Sequence, residues 1–65
     1  MKRWSDRGKI ENPKIDAFLA EVRAVCERHG LAISHEDAHG GFEIVSLENG
    51  NLEWLMQATD RTGAR

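Results

Sequence analysis

Leu31-Ala32-Ile33-Ser34-His35-Glu36 and Phe42-Glu43-Ile44-Val45-Ser46-Leu47, joined by Asp37-Ala38-His39-Gly40-Gly41, are the stretch on which the fold of this chain turns. Apolar residues alternate with small or polar ones on both sides of a glycine-rich cluster, a pattern that predicts two short strands and a tight connection, hence an antiparallel hairpin. Setting Ile33 opposite Ile44 gathers Leu31, Ile33, Phe42 and Ile44 on one face and leaves Ala32, Ser34, Glu36, Glu43 and Val45 on the other. The first set carries most of the apolar surface and is expected to face inward. Two strands alone are marginal in water, so that face needs a partner.

The expected partner lies upstream. Asn12-Pro13 is a strong helix start, because an asparagine side chain accepts hydrogen bonds from first-turn amides and proline's fixed φ suits the first helical position. A helix is predicted from Pro13 to His29, with Ile15, Phe18, Leu19, Val22, Val25 and Cys26 on one stripe and Gly30 as its stop. Asp16, Arg23 and Glu27 fall on one flank of it, and Lys14, Glu21 and Arg28 on the other. Downstream, Asn49-Gly50-Asn51 supplies a turn and a cap, and Leu52, Trp54, Leu55, Met56 and Ala58 support a short helix ending near Thr59.

These elements predict a small α+β domain of order α-β-β-α, with the hairpin packed on the long N-terminal helix. Phe18, Leu19, Val22, Ile33, Phe42, Ile44 and Leu55 are the expected core. Residues 1–11 read as a polar, basic arm, 12–60 as the compact domain and 61–65 as a C-terminal tail. A chain of 65 residues is close to the lower size limit for independent folding, where only about 60% of the unfolded surface is buried. A monomer or weak homodimer is expected, with Trp4 or Trp54 as an anchor for a partner if the core does not absorb it. The chain holds no apolar run near the roughly 20 residues that span a bilayer and no leader-like start, and its single cysteine, Cys26, cannot form an internal disulfide. Those features point to a reducing cytoplasm and away from a membrane. Cys26 itself reads as a small buried hydrophobe on the helix.

His35-Glu36-Asp37-Ala38-His39 matches the letters of H-E-x-x-H. In zinc proteases that motif works because a helix sets its two histidines one turn apart on the same side of the metal. Here Ile33-Ser34 precedes and Gly40-Gly41 follows, a strand-and-turn context, so no metal or cofactor is expected. His35 reads as a residue near the hairpin end, and Asp37 and His39 as shapers of the turn. Neither a nucleophile elbow nor a phosphate-cradling or dinucleotide-binding glycine motif occurs, so no enzymatic role is expected.

The net charge of −2 conceals a division. Lys2, Arg3, Arg7 and Lys9 against Asp6, with Arg61 and Arg65, make the ends +5, whereas residues 10–60 carry −7. Glu36, Asp37 and Glu43 gather at one end of the hairpin with no lysine or arginine nearby in sequence, and such repulsion costs up to ~1 kcal/mol across adjacent strands. Glu48 and Glu53 near the second helix, with Glu21 and Glu27 on the first, extend the negative surface. An anionic body is repelled by nucleic acid, so direct DNA binding is not expected of it. The same surface would be drawn to the basic groove of a nucleic-acid-binding machine, with carboxylates standing in for phosphates. A weaker opposing pattern is a basic arm of Lys2, Arg3, Trp4, Arg7 and Lys9 serving a DNA accessory factor.

The run from Ile33 to Ile44, followed by Asn51-x-x-Trp54-Leu55-x-x-Ala58, resembles small phage and mobile-element proteins, in particular the anti-CRISPR inhibitors of type I systems, type I-C above all. The resemblance spans about Pro13 to Ala58. It implies a non-enzymatic inhibitor that binds a crRNA-guided surveillance complex in a bacterial host and blocks its access to target DNA; joined to the acidic surface, it points to DNA mimicry on Cas subunits of a Cascade-type complex, PAM reading being one candidate step. It carries no active-site residues to transfer. Glu21, Glu27, Glu36, Asp37, Glu43, Glu48 and Glu53 are the candidate partner-binding residues. The alternative is a phage adaptor or regulator that binds a host protein through its tryptophans or hairpin edge.

Overall fold

A computed structural model describes residues 1–63. The chain runs β1 (Lys2–Ser5), β2 (Gly8–Glu11), α1 (Pro13–His29), β3 (Leu31–His35), β4 (Phe42–Ser46) and α2 (Asn49–Met56). The α+β class is as expected, but the order is β-β-α-β-β-α, because the segment expected to be an irregular arm is a second hairpin. β1 and β2 pair antiparallel with Arg3 opposite Ile10 and Trp4 opposite Lys9. One face of this pair is covered by the body, burying Arg3 and half-burying Ile10. The other stays in water with Lys2, Trp4, Lys9 and Glu11. A charged composition hid the strands, since their only apolar inward residue is Ile10.

α1 has the predicted limits. The Asn12 side chain accepts from the Lys14 amide at 3.1 Å, Pro13 occupies the first turn, and Gly30 closes the helix with φ of 69° while its amide reaches the Cys26 carbonyl. Only glycine takes that left-handed geometry without strain. β3 and β4 pair antiparallel with Ile33 opposite Ile44, the register expected, and Leu47 extends the ladder through a 3.0 Å bond to the Gly30 carbonyl. α2 begins earlier than predicted. Glu48 is its N-cap and makes no side-chain capping bond. The side chain of Asn49, expected in the turn and cap, lies outside the described part, as does Arg65 of the expected tail.

The covered face of the β3–β4 hairpin is the opposite of the one expected. Ala32 is buried and Ser34 and Val45 are half-buried, whereas Leu31, Ile33, Phe42 and Ile44 are exposed. Placement of the helices supplies the reason. α1 and α2 contact each other and β3, while β4 neighbours β3 alone. Ala32 is small enough to let β3 approach both helices, and the larger side chains of β4, which neighbours neither helix, stay exposed. The buried apolar core consists of Leu19, Cys26, Ala32 and Leu52. Of the expected core, Leu19 is buried, Val22 and Leu55 are half-buried, and Phe18, Ile33, Phe42 and Ile44 lie open. Among the described residues no helix is long and apolar enough to cross a membrane.

Candidate interaction surface

Two buried charges fasten the N-terminal hairpin to the rest of the chain, and neither stands out in the sequence. Arg3, 3% exposed, donates from Nη1 to the Met56 and Ala58 carbonyls at 3.0 Å each and from Nη2 to the Asp16 carboxylate at 2.7 Å. Its guanidinium thus closes the C-terminal end of α2, where carbonyls lack helical partners. Asp60, 2% exposed, accepts from Asn12 Nδ2 at 3.2 Å, the Thr62 amide at 2.9 Å and the Thr62 hydroxyl at 2.6 Å. The Asp60 amide donates to the Trp4 carbonyl at 2.7 Å. Arg61 pairs with Asp6 across the same junction. Cations that composition assigned to free ends are therefore engaged, which weakens the basic-arm reading; Lys9 also lies over the Trp4 ring, 5.2 Å from its centroid.

Both aspartates are held below the ordinary carboxylate range. The Arg3 guanidinium is the main cause at Asp16, with the Met1 amino group 3.0 Å away as a second. At Asp60 the cause is first the Thr62 hydroxyl, then the Thr62 amide. A carboxylate with a depressed folded-state pKa adds stability that is present above its unfolded pKa and is lost as pH falls through the folded value. Thermal unfolding midpoints should therefore drop as pH is lowered through and below the ordinary aspartate pKa of about 3.9. In Asp16→Asn and Asp60→Asn that acid slope should be shallower; a slope equal to the parent's in both would remove the two groups from the account.

The histidine-containing stretch is a loop held by Glu36. His35 ends β3, and residues 37–39 form a turn rather than a helix. The Glu36 carboxylate accepts from the amides of Ala38 and, at 2.7 Å, His39. Its backbone amide donates to the Gly41 carbonyl at 2.7 Å, and its carbonyl accepts from Gly40 at 2.9 Å. Turn shaping was expected of Asp37 and His39; Glu36 does it. Asp37 lies 3.5 Å from His35 Nδ1 and is almost fully exposed.

The candidate carboxylates consequently fall into two groups. Glu36 is turned into its own loop, Asp37 lies beside His35, and Glu27 pairs with Arg23 at 3.6 Å one helical turn away. Glu21, Glu43, Glu48 and Glu53 are exposed, and no ion pair to them occurs among the described residues. They are distributed over α1, β4, the α2 cap and α2, so the tight patch expected at the hairpin end is not what the fold presents. Glu43 shares the Ser34 and Val45 side of the hairpin, whereas Glu36 belongs to the loop.

The sequence reading missed what the open hairpin face creates. Between β3–β4 and α2 lies a groove of about 350 Å³ with His35, Phe42, Trp54, Leu55, Asn51 and Gln57 in its lining. The His35 and Trp54 rings are 5.6 Å apart and tilted by 45°, and Trp54 is 63% exposed. The available signal was the spacing Asn51-x-x-Trp54-Leu55, which sets Leu55 toward the body and leaves Trp54 on a different side of α2. The chain matches no family model, no curated protein and no solved structure.

Proposed function

We infer that the protein is a non-enzymatic binding protein that inhibits a type I CRISPR surveillance complex, its carboxylates Glu21, Glu43, Glu48 and Glu53 docking on a cationic, DNA-binding surface of the Cas subunits. The observation that carries this reading is the set of exposed acids that make no ion pair among the described residues, while the basic residues Arg3 and Arg61 are used internally. Acids left unpaired on a domain with a sparse core cost stability through repulsion, a cost that a basic partner would relieve. The role of Glu36 is then structural, in presenting the hairpin, and Asp37 and Glu27 contribute less than the unpaired acids.

The test is pull-down with purified type I-C effector subunits, followed by binding kinetics. The combined variant Glu21→Lys, Glu43→Lys and Glu53→Lys is expected to lose roughly tenfold or more in affinity, and the parent's association rate should fall as ionic strength rises. Unchanged capture by the triple variant, or a rate flat with salt, would reject the acidic surface. The exposure of Trp54 and Trp4 favours a second reading, an adaptor that seats these rings in a host protein. Recovery of a single non-CRISPR protein from host lysate, lost in Trp54→Ala, would support it over the first.

A further inference from the structure

Leu31, Ile33, Phe42 and Ile44 open onto the exposed side of α1, where Phe18 and Val25 lie uncovered. Leu31, Ile33 and Ile44 with Phe18 and Val25 line an apolar groove of about 430 Å³ that also holds Glu21, Cys26 and His29, and Phe42, two residues from Ile44 on β4, continues the same hairpin face beyond it. Phe42 is 87% and Ile44 67% exposed. Scattered apolar residues are ordinary on a protein surface, but a contiguous face richer in large side chains than the core beneath it marks an interface.

Three observations select the occupant. The chain exposes 5071 Å², whereas a compact monomer of 7.3 kDa is expected to expose about 4,200 Å². The excess, about 900 Å², is close to the ~800 Å² that each partner contributes to a standard interface. The dimensions agree: the molecule is a slab of 33 × 28 × 16 Å with a radius of gyration of 12.6 Å, against about 10.7 Å for a compact chain of this length. The buried apolar core of Leu19, Cys26, Ala32 and Leu52 is also too small to carry the fold alone. The covering must therefore be available wherever the chain folds, and another copy of the chain always is.

We propose that the protein is an obligate homodimer in which the face formed by Leu31, Ile33, Phe42 and Ile44 with Phe18 and Val25 of α1 packs on the same face of a second copy. A two-fold interface requires a patch complementary to itself, and this one brings few charges into opposition. The assembly converts two half-cores into one and leaves Glu43, Glu48 and Glu53 of both chains outside the groove, with Glu21 at its border. It does not depend on which macromolecule the protein binds.

Sedimentation equilibrium should give twice the chain mass, and the thermal midpoint should rise with protein concentration, as for any fold coupled to assembly. A chain that stays monomeric, folded and concentration-independent would overturn the proposal and leave the face for a different partner. The double variant Phe42→Asp, Ile44→Asp should sediment at half the parent's mass or fail to fold; a folded dimer would place the interface elsewhere. Hydroxyl-radical footprinting of the parent needs no variant: Phe42 should be labelled weakly and Trp4 strongly. Strong labelling of Phe42 in a confirmed dimer would equally reject this face.

Discussion

Arg3→Met is expected to lower the unfolding free energy by about 3 kcal/mol, a large part of what a domain of this size possesses. The methionine refills some of the space of the aliphatic stem but withdraws the donors that serve the Met56 and Ala58 carbonyls and the Asp16 carboxylate. The two carbonyls at the end of α2 then lose their side-chain donor, Asp16 keeps only the Met1 amino group, and unsatisfied buried groups are costlier than the net worth of the bonds they made. The loss is smaller than three fully effective charged bonds would give, because Arg3 Nε is itself buried without a partner among the described residues and the parent already carries a desolvation penalty. Arg3→Lys should recover only part of the loss: an ammonium is a point donor and does not reproduce the fork over two carbonyls and a carboxylate. Urea unfolding at fixed protein concentration measures the effect, with Lys2→Met, at an exposed neighbouring position, as the control. Equal stability of Arg3→Met and the parent would mean that the N-terminal hairpin is not fastened through this residue.

Leu52→Ala should cost about 3 kcal/mol by the same measurement, within the usual range for a leucine truncated in a packed interior. Leu52 is 3% exposed and is the one large α2 side chain in the buried core. α2 reaches the remainder of the chain through α1 and β3, so a cavity at Leu52 weakens the contact that also positions the Met56 and Ala58 carbonyls for Arg3. Trp54→Ala, two positions along on an exposed side of the same helix, should cost much less than Leu52→Ala in spite of its larger ring. A cost at Trp54 equal to or above that at Leu52 would contradict the burial pattern.

The candidate surface was legible only in part. Exposure of Glu43, Glu48 and Glu53 follows from their positions on half-covered elements, and Glu21 follows from the helical period of α1. Engagement of Glu36 by the loop amides was not legible, because a carboxylate bound to backbone looks the same in sequence as one facing solvent. The pairing of Glu27 with Arg23 was visible as one-turn spacing, and its small energetic worth on an exposed flank leaves the reading little changed. Arg3 and Asp60 were the largest omissions. Arg3 reads as one cation of the basic end and Asp60 as one acid of the anionic middle, yet their long-range partners make them the most buried polar residues described.

What the sequence determined by itself was local. Asn12-Pro13 and Gly30 bound α1 because capping and backbone φ are properties of a few adjacent residues. The Ile33–Ile44 register follows because alternation and a short turn leave one good pairing. Which hairpin face is covered was decided only in three dimensions, by the gathering of both helices along β3 and by the small side chain of Ala32 that admits them. Hydrophobic alternation identifies two faces and ranks their greasiness; it contains no information on where the helices lie, or on whether the greasier face is covered by the same chain.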